Sequence, residues 1–95
     1  MSDKPRHFAT RTIHAGEQFE VADNAIFPAI VTASSFIKRG LDDTPDYSYS
    51  RLGTPSRHAY ETCVAALEEG VGAVACASGV NATATVLELL PKDAH

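Results

Sequence analysis

The spacing of apolar and polar positions changes character near residue 50, and that change divides the chain. Residues 1–50 hold no sustained helical period, are interrupted by Pro5, Pro28 and Pro45, and carry the acidic, turn-like stretch Asp42-Asp43-Thr44-Pro45-Asp46. They read as an extended arm. Within it, Ala29-Ile30-Val31-Thr32 leans towards β structure but is too short for an independent sheet. Beyond residue 50 the pattern becomes regular. Thr54 suits a helix N-cap, Pro55 the first helical position, and Tyr60, Val64 and Leu67 recur at helical spacing until Gly70, a natural stop. Gly72 to Ala77, GAVACA, is a run of small and β-branched apolar residues that predicts a strand covered on both faces. Ser78 is placed to cap a second helix, predicted to run to about Leu90 with Val86, Leu87 and Leu90 on its apolar side, and Pro91 ends it. Helix, strand, helix is the order of an α/β protein.

Two segments of this pattern carry chemistry. Tyr47 to Arg57, YSYSRLGTPSR, sets the hydroxyl of Tyr49 two residues from the guanidinium of Arg51 and leads through Gly53, Thr54 and Pro55 into a helix start. Arginine is suited to anions, because its planar fork makes two charge-assisted hydrogen bonds to phosphate oxygens and stays protonated at any working pH. The second segment, Ala77-Ser78-Gly79-Val80-Asn81-Ala82, follows the strand-like run and opens a helix, where backbone N–H groups converge on a phosphate. Gly79 permits close approach, and the helix dipole favours an anion there by roughly 0.3–1 kcal/mol at an exposed site. Taken alone, the first segment reads more readily as a loop tyrosine beside a solvated arginine and the second as a plain strand-to-helix turn. Together they suggest a phosphorylated cofactor.

In this order the segments resemble the N-terminal part of the pyridoxal-phosphate enzymes of cysteine and methionine metabolism, the cystathionine γ-synthase and γ-lyase family. The resemblance runs almost end to end. Phe8-Ala9-Thr10-Arg11-Thr12-Ile13-His14-Ala15-Gly16 is similar to the family's opening, Pro28 to Phe36 to its PI-x-x-(S/T)-(S/T)-x-F stretch, and YSYSRLGTPSR to its YSRxxNPT(R) signature. Ala65-Ala66-Leu67-Glu68 and the Ala-Ser-Gly turn follow at family-like spacing. The chain departs from many members at Thr54, where they have Asn, and from several γ-synthases and γ-lyases at Ser48, where they have an acidic residue.

The resemblance implies an α/β fold. Residues 1–50 would form an arm contacting the neighbouring subunit, and residues 51–95 the beginning of the large domain of a fold-type I, aspartate aminotransferase-like PLP-dependent transferase, incomplete as given. It implies pyridoxal 5′-phosphate as cofactor, with Tyr49 and Arg51 reaching the phosphate bound by the neighbouring subunit and the N–H groups of Gly79 and Val80 holding the subunit's own. It implies no catalytic residue in this chain, because the family's Schiff-base lysine lies far downstream and Lys4, Lys38 and Lys92 do not stand in its context. The reaction implied is β- or γ-elimination or γ-replacement, with cystathionine, homocysteine, cysteine or an activated homoserine ester as substrate. The γ-synthase and γ-lyase group is favoured over β-lyase, methionine γ-lyase and sulfhydrylase. A homo-oligomer, a homotetramer in the family, is the partner implied.

Length, charge and the remaining side chains bound these expectations. Ninety-five residues could make one small domain with little stability to spare, and family members are several times longer, so the chain reads as a fragment or truncated product. A non-catalytic chain that docks onto full-length relatives is the competing reading. With 44% hydrophobic and 21% charged residues and a net charge of -4, the composition is that of an ordinary soluble protein with no call for nucleic acid. No apolar run approaches the roughly 20 residues that cross a bilayer, and no signal-peptide core opens the chain, so a cytoplasmic location is expected and no membrane partner. Cys63 and Cys76 lack metal-type spacing and are expected as two reduced, packed thiols, with no metal site. Arg57 is expected to be a solvated or ion-paired structural group, and His14 and His58 hydrogen-bonded structural histidines.

Overall fold

Among the described residues, three helices carry the regular structure: α1 over Phe8–His14, α2 over Pro55–Leu67 and α3 over Gly79–Leu87. The computed structural model describes residues 7–16 and 25–94, so Lys4, Pro5 and the C-terminal His95 lie outside the described residues. Helix α2 begins as the sequence dictates. Thr54 has extended backbone and its hydroxyl accepts the Arg57 N–H at 3.1 Å, while Pro55 fills the first position, where no N–H is needed. Ser78 caps α3 in the same way, its Oγ accepting the Asn81 N–H at 3.2 Å. The regular part of α3 stops at Leu87, short of the expected Leu90. Leu89 and Leu90 instead bond back to Val86 and Leu87 in tighter three-residue turns before Pro91.

The arm is not wholly extended, because α1 forms within it. This seven-residue helix has no side-chain cap and includes Thr10, Thr12 and Ile13, all mediocre helix formers. Its support is tertiary. Arg11 Nη1 donates to Ala66 O at 2.7 Å near the end of α2, and Nη2 lies 3.6 Å from Glu69 Oε1. Gly16, with φ of 86°, brings the following turn so close that a Cβ there would stand 2.1 Å from Ala59 O. Only glycine fits that approach.

Further along the arm, Ala29–Thr32 forms no strand, and the Val31 N–H is taken by Ser56 Oγ at 2.8 Å. The acidic stretch is a turn region, with Asp43 N–H on Gly40 O and Asp43 Oδ2 accepting the Arg39 N–H. A single antiparallel bridge joins Ser35 to Tyr49, through Phe36 N–H to Ser48 O at 3.0 Å and Ser50 N–H to Ser34 O at 2.8 Å. It fixes the YSYSRLG loop against the arm.

The strand expected over Gly72–Ala77 does not form, and no strand occurs among the described residues. A strand is defined by its neighbours, and nothing in the described chain pairs with this segment. Its Val74 remains 79% exposed. No described residue is fully buried, and the Cα radius of gyration, 16.6 Å, exceeds the roughly 12 Å of a compact domain of this length. The helices of the α/β pattern are present; among the described residues, the sheet they would cover is not.

Candidate functional site

The loop that presents Tyr49 and Arg51 is shaped by its own backbone and by Arg57. Tyr49 O accepts the N–H groups of both Leu52, at 2.9 Å, and Gly53, at 3.2 Å, which closes the turn around Arg51. Arg57 Nη1 donates to Arg51 O at 3.3 Å and Nη2 donates to Leu52 O. Arg57 Nε lies 3.6 Å from Glu61 Oε1, one helical turn on. Arg57 is therefore the ion-paired structural group its position suggested. Tyr47 packs beneath the loop, its ring 5.8 Å from Phe36 and 6.4 Å, edge-on, from His58. His58 thus takes part in ring packing.

Above this base, the Arg51 guanidinium sits 5.6 Å from the centre of the Tyr49 ring. A cation over an aromatic face is weakly attracted, which pre-orients the two side chains without consuming the guanidinium's donors. Among the described residues, neither the Tyr49 hydroxyl nor the Arg51 side chain has a hydrogen-bond or ion-pair partner. Both are free to meet an anion.

The second set of donors stands at the start of α3. Ser78 Oγ and Ser78 O satisfy Asn81 and Ala82, whereas the N–H groups of Gly79 and Val80 have no partner among the described residues. A Cβ added at Gly79 would meet nothing within 4 Å, so the side-chain position of Gly79 is open. Two unpartnered amides and the positive end of a helix dipole fit a phosphate group. Ser78 and Gly79 also border a cavity of about 240 Å³ lined by Tyr60, Val64 and Cys76 among others. A separate cavity of about 320 Å³ lies between Tyr47 and the start of α2. Tyr49, Arg51 and Val80 line neither of these two cavities.

Glu61 was not legible as a site-shaping residue. Besides pairing with Arg57, its Oε1 accepts the Ala75 N–H at 2.9 Å and so ties α2 to the segment that leads into α3. The one sequence signal was its place four residues after Arg57 on a predicted helix. Cys63 and Cys76 are free thiols, both half-buried. No group of three metal-ligating side chains occurs among the described residues. None of their helices is long and apolar enough to cross a membrane.

Residues 9–95 match the model of the Cys/Met metabolism PLP-dependent enzyme family. The chain belongs to that family. It is 44% identical over 94 residues to a cystathionine β-lyase of Coxiella burnetii, covering 99% of this chain and 24% of that protein. It is 42% identical over 88 residues to a probable cystathionine γ-synthase of Herpetosiphon aurantiacus, covering 93% of this chain and 28% of the relative. Among solved structures, yeast cystathionine γ-lyase superposes with a TM-score of 0.83 at 34% identity, over 96% of this chain and 23% of that one. The chain therefore spans about a quarter of the length of the relatives it matches, and its helices and loops lie as they do in the corresponding quarter of such an enzyme. The family's cofactor is pyridoxal phosphate, in agreement with the donor chemistry of both segments.

Proposed function

We propose that this chain is the N-terminal part of a pyridoxal-phosphate-dependent trans-sulfuration enzyme that acts on cystathionine or a related sulfur amino acid, by β- or γ-elimination or by γ-replacement. The observation behind this reading is the family match over residues 9–95, which takes in both sets of unpartnered anion donors. Bound pyridoxal phosphate supplies an electron sink that lets a substrate α-proton and then a β- or γ-substituent depart. The residues of this chain hold its phosphate. The Gly79 and Val80 N–H groups serve the cofactor of their own subunit, and Tyr49 and Arg51 reach the phosphate of a neighbouring subunit in a homotetramer in the cytoplasm. The exposure of Tyr49 and Arg51, with no hydrogen-bond or ion-pair partner among the described residues, supports that division of roles.

Within the family we favour the γ-synthase and γ-lyase group, and the product decides the matter. The full-length enzyme carrying this segment is incubated with pyridoxal phosphate and cystathionine, or with cysteine and an activated homoserine ester. Cysteine released from cystathionine marks γ-elimination, cystathionine formed from the ester marks γ-replacement, and homocysteine marks β-elimination. Homocysteine alone would move the enzyme to the β-lyase group, and no turnover of any of these sulfur amino acids would overturn the trans-sulfuration reading.

A further inference from the structure

A single carboxylate oxygen stands between the two donor segments. Glu61 Oε1 lies 3.6 Å from Arg57 Nε and accepts the Ala75 N–H at 2.9 Å. Arg57 in turn binds the carbonyls of Arg51 and Leu52, and Ala75 precedes the Ser78 cap by only three residues. A continuous path of polar contacts thus runs from the loop bearing Tyr49 and Arg51, through Arg57 and Glu61, to the backbone that delivers Gly79 and Val80.

Helix electrostatics do not account for this pair. A cation in the first turn opposes the helix dipole, and an acidic residue following a basic one at this spacing is the weaker orientation. The pair is only half-exposed, with side-chain exposures of 34% and 21%, and Arg57 Nε is sequestered from solvent without a hydrogen bond closer than the 3.6 Å contact. What the arrangement achieves is the fixing of two backbone segments on one helix.

We propose that Arg57 and Glu61 are positioning residues that set the placement of both phosphate-contact segments, and so determine how strongly the enzyme prefers a phosphorylated cofactor. The proposal rests on the assignment of those segments to phosphate. Neither residue touches the cofactor. Each acts through backbone: Arg57 through the Arg51 and Leu52 carbonyls, Glu61 through the Ala75 N–H. Loss of the carboxylate frees Gly72–Ala77 from α2 and leaves the Arg57 guanidinium to swing, which loosens both donor sets together.

The test compares pyridoxal phosphate with pyridoxal, which lacks the phosphate, by measuring the dissociation constant of each from the full-length apoenzyme. Their ratio, the dissociation constant of pyridoxal divided by that of pyridoxal phosphate, reports phosphate contacts, because general damage to the fold weakens both ligands alike. Glu61→Gln, which keeps shape and an acceptor but removes the charge, is expected to lower the ratio, and Glu61→Ala by about 10-fold, the factor given by about 1.4 kcal/mol of lost orientation. Arg57→Ala should lower it comparably. Combined with Glu61→Ala it should lose less than the product of the two single losses, since both variants break one path. Arg51→Ala is the control for the underlying assignment. An unchanged ratio in that variant removes the phosphate assignment of Tyr49 and Arg51, and with it the proposal that the pair sets both segments. A reduced ratio in Arg51→Ala beside Glu61 and Arg57 variants within about 2-fold of the parent would overturn the positioning role alone. Equal weakening of both ligands would make the pair merely structural.

Discussion

Glu69 closes α2 with a φ of 55°, a left-handed conformation that side chains other than glycine adopt at a cost of roughly 1–2 kcal/mol. The sequence points to Gly70 as the stop, yet the glycine sits one place later. Its N–H donates to Ala65 O at 2.9 Å, the long bond of a Schellman ending, so the strained position falls on Glu69. Another carbonyl of this last turn, Ala66 O, is taken by Arg11 from α1. The end of α2 is thus finished by a residue more than fifty positions away. Glu69→Gly relieves the strain and removes only an exposed ion pair at 3.6 Å, a contact of the kind that contributes little. It should raise the stability of the full-length protein by about 0.5–1 kcal/mol, seen as a higher urea midpoint at unchanged slope. A lower midpoint would mean that the Glu69 carboxylate matters more than the backbone it strains.

The elements that could be read from the sequence are those whose signals are local. Thr54, Pro55 and Ser78 announce the starts of α2 and α3 because a cap needs only a hydroxyl and an N–H three residues away. Helix α1 could not be read, since Thr10, Thr12 and Ile13 argue against it and its support comes from Arg11 on α2 and from the Gly16 turn. The composition of Gly72–Ala77 predicts a strand, but pairing is a property of two segments and the described chain holds one. Of the candidate site, Tyr49, Arg51, Gly79 and Val80 are named through the family resemblance, and their phosphate roles stand as a proposal. The Glu61 link to the backbone of Ala75 leaves no trace in residue type at the accepting end. Gly16 offers a direct test of the docked element. Gly16→Ala places a Cβ against Ala59 O in a positive-φ turn and should cost about 1–3 kcal/mol, releasing α1 from α2. Gly40→Ala, where a Cβ meets nothing within 4 Å, should stay within about 0.5 kcal/mol of the parent. Limited proteolysis cutting near residue 16 in the first variant and not the second would show α1 released; identical patterns would place the docking energy elsewhere.

At the scale of the whole molecule, the chain presents surfaces instead of enclosing them. No described residue is buried, and Val86 and Leu87 on α3 are more than half exposed, so the isolated chain should unfold without a cooperative transition and bind an apolar dye. A sharp, dye-silent thermal transition of the monomer would contradict this. The same openness bears on where the donors act. Tyr49 and Arg51 are exposed and, beyond their contact with each other, have no hydrogen-bond or ion-pair partner among the described residues, and in the proposed function they serve a neighbour's phosphate. If so, two full-length variants that are inactive for different reasons should complement each other in mixed oligomers. One lacks the lysine that carries the cofactor, which the family resemblance places beyond this segment, and the other is Arg51→Ala. One site of a hybrid pair collects both defects. The other takes its lysine from the Arg51→Ala subunit and its arginine from the lysine variant, and is chemically whole. Loss of a charge-assisted phosphate contact should weaken cofactor binding by roughly 1.5–3 kcal/mol, so the Arg51→Ala enzyme reveals its defect only at limiting pyridoxal phosphate. Under that condition the mixture should exceed the summed activity of its parts. Activity no higher than that sum, with hybrids confirmed by mass, would place Arg51 in its own subunit's site or outside the site altogether.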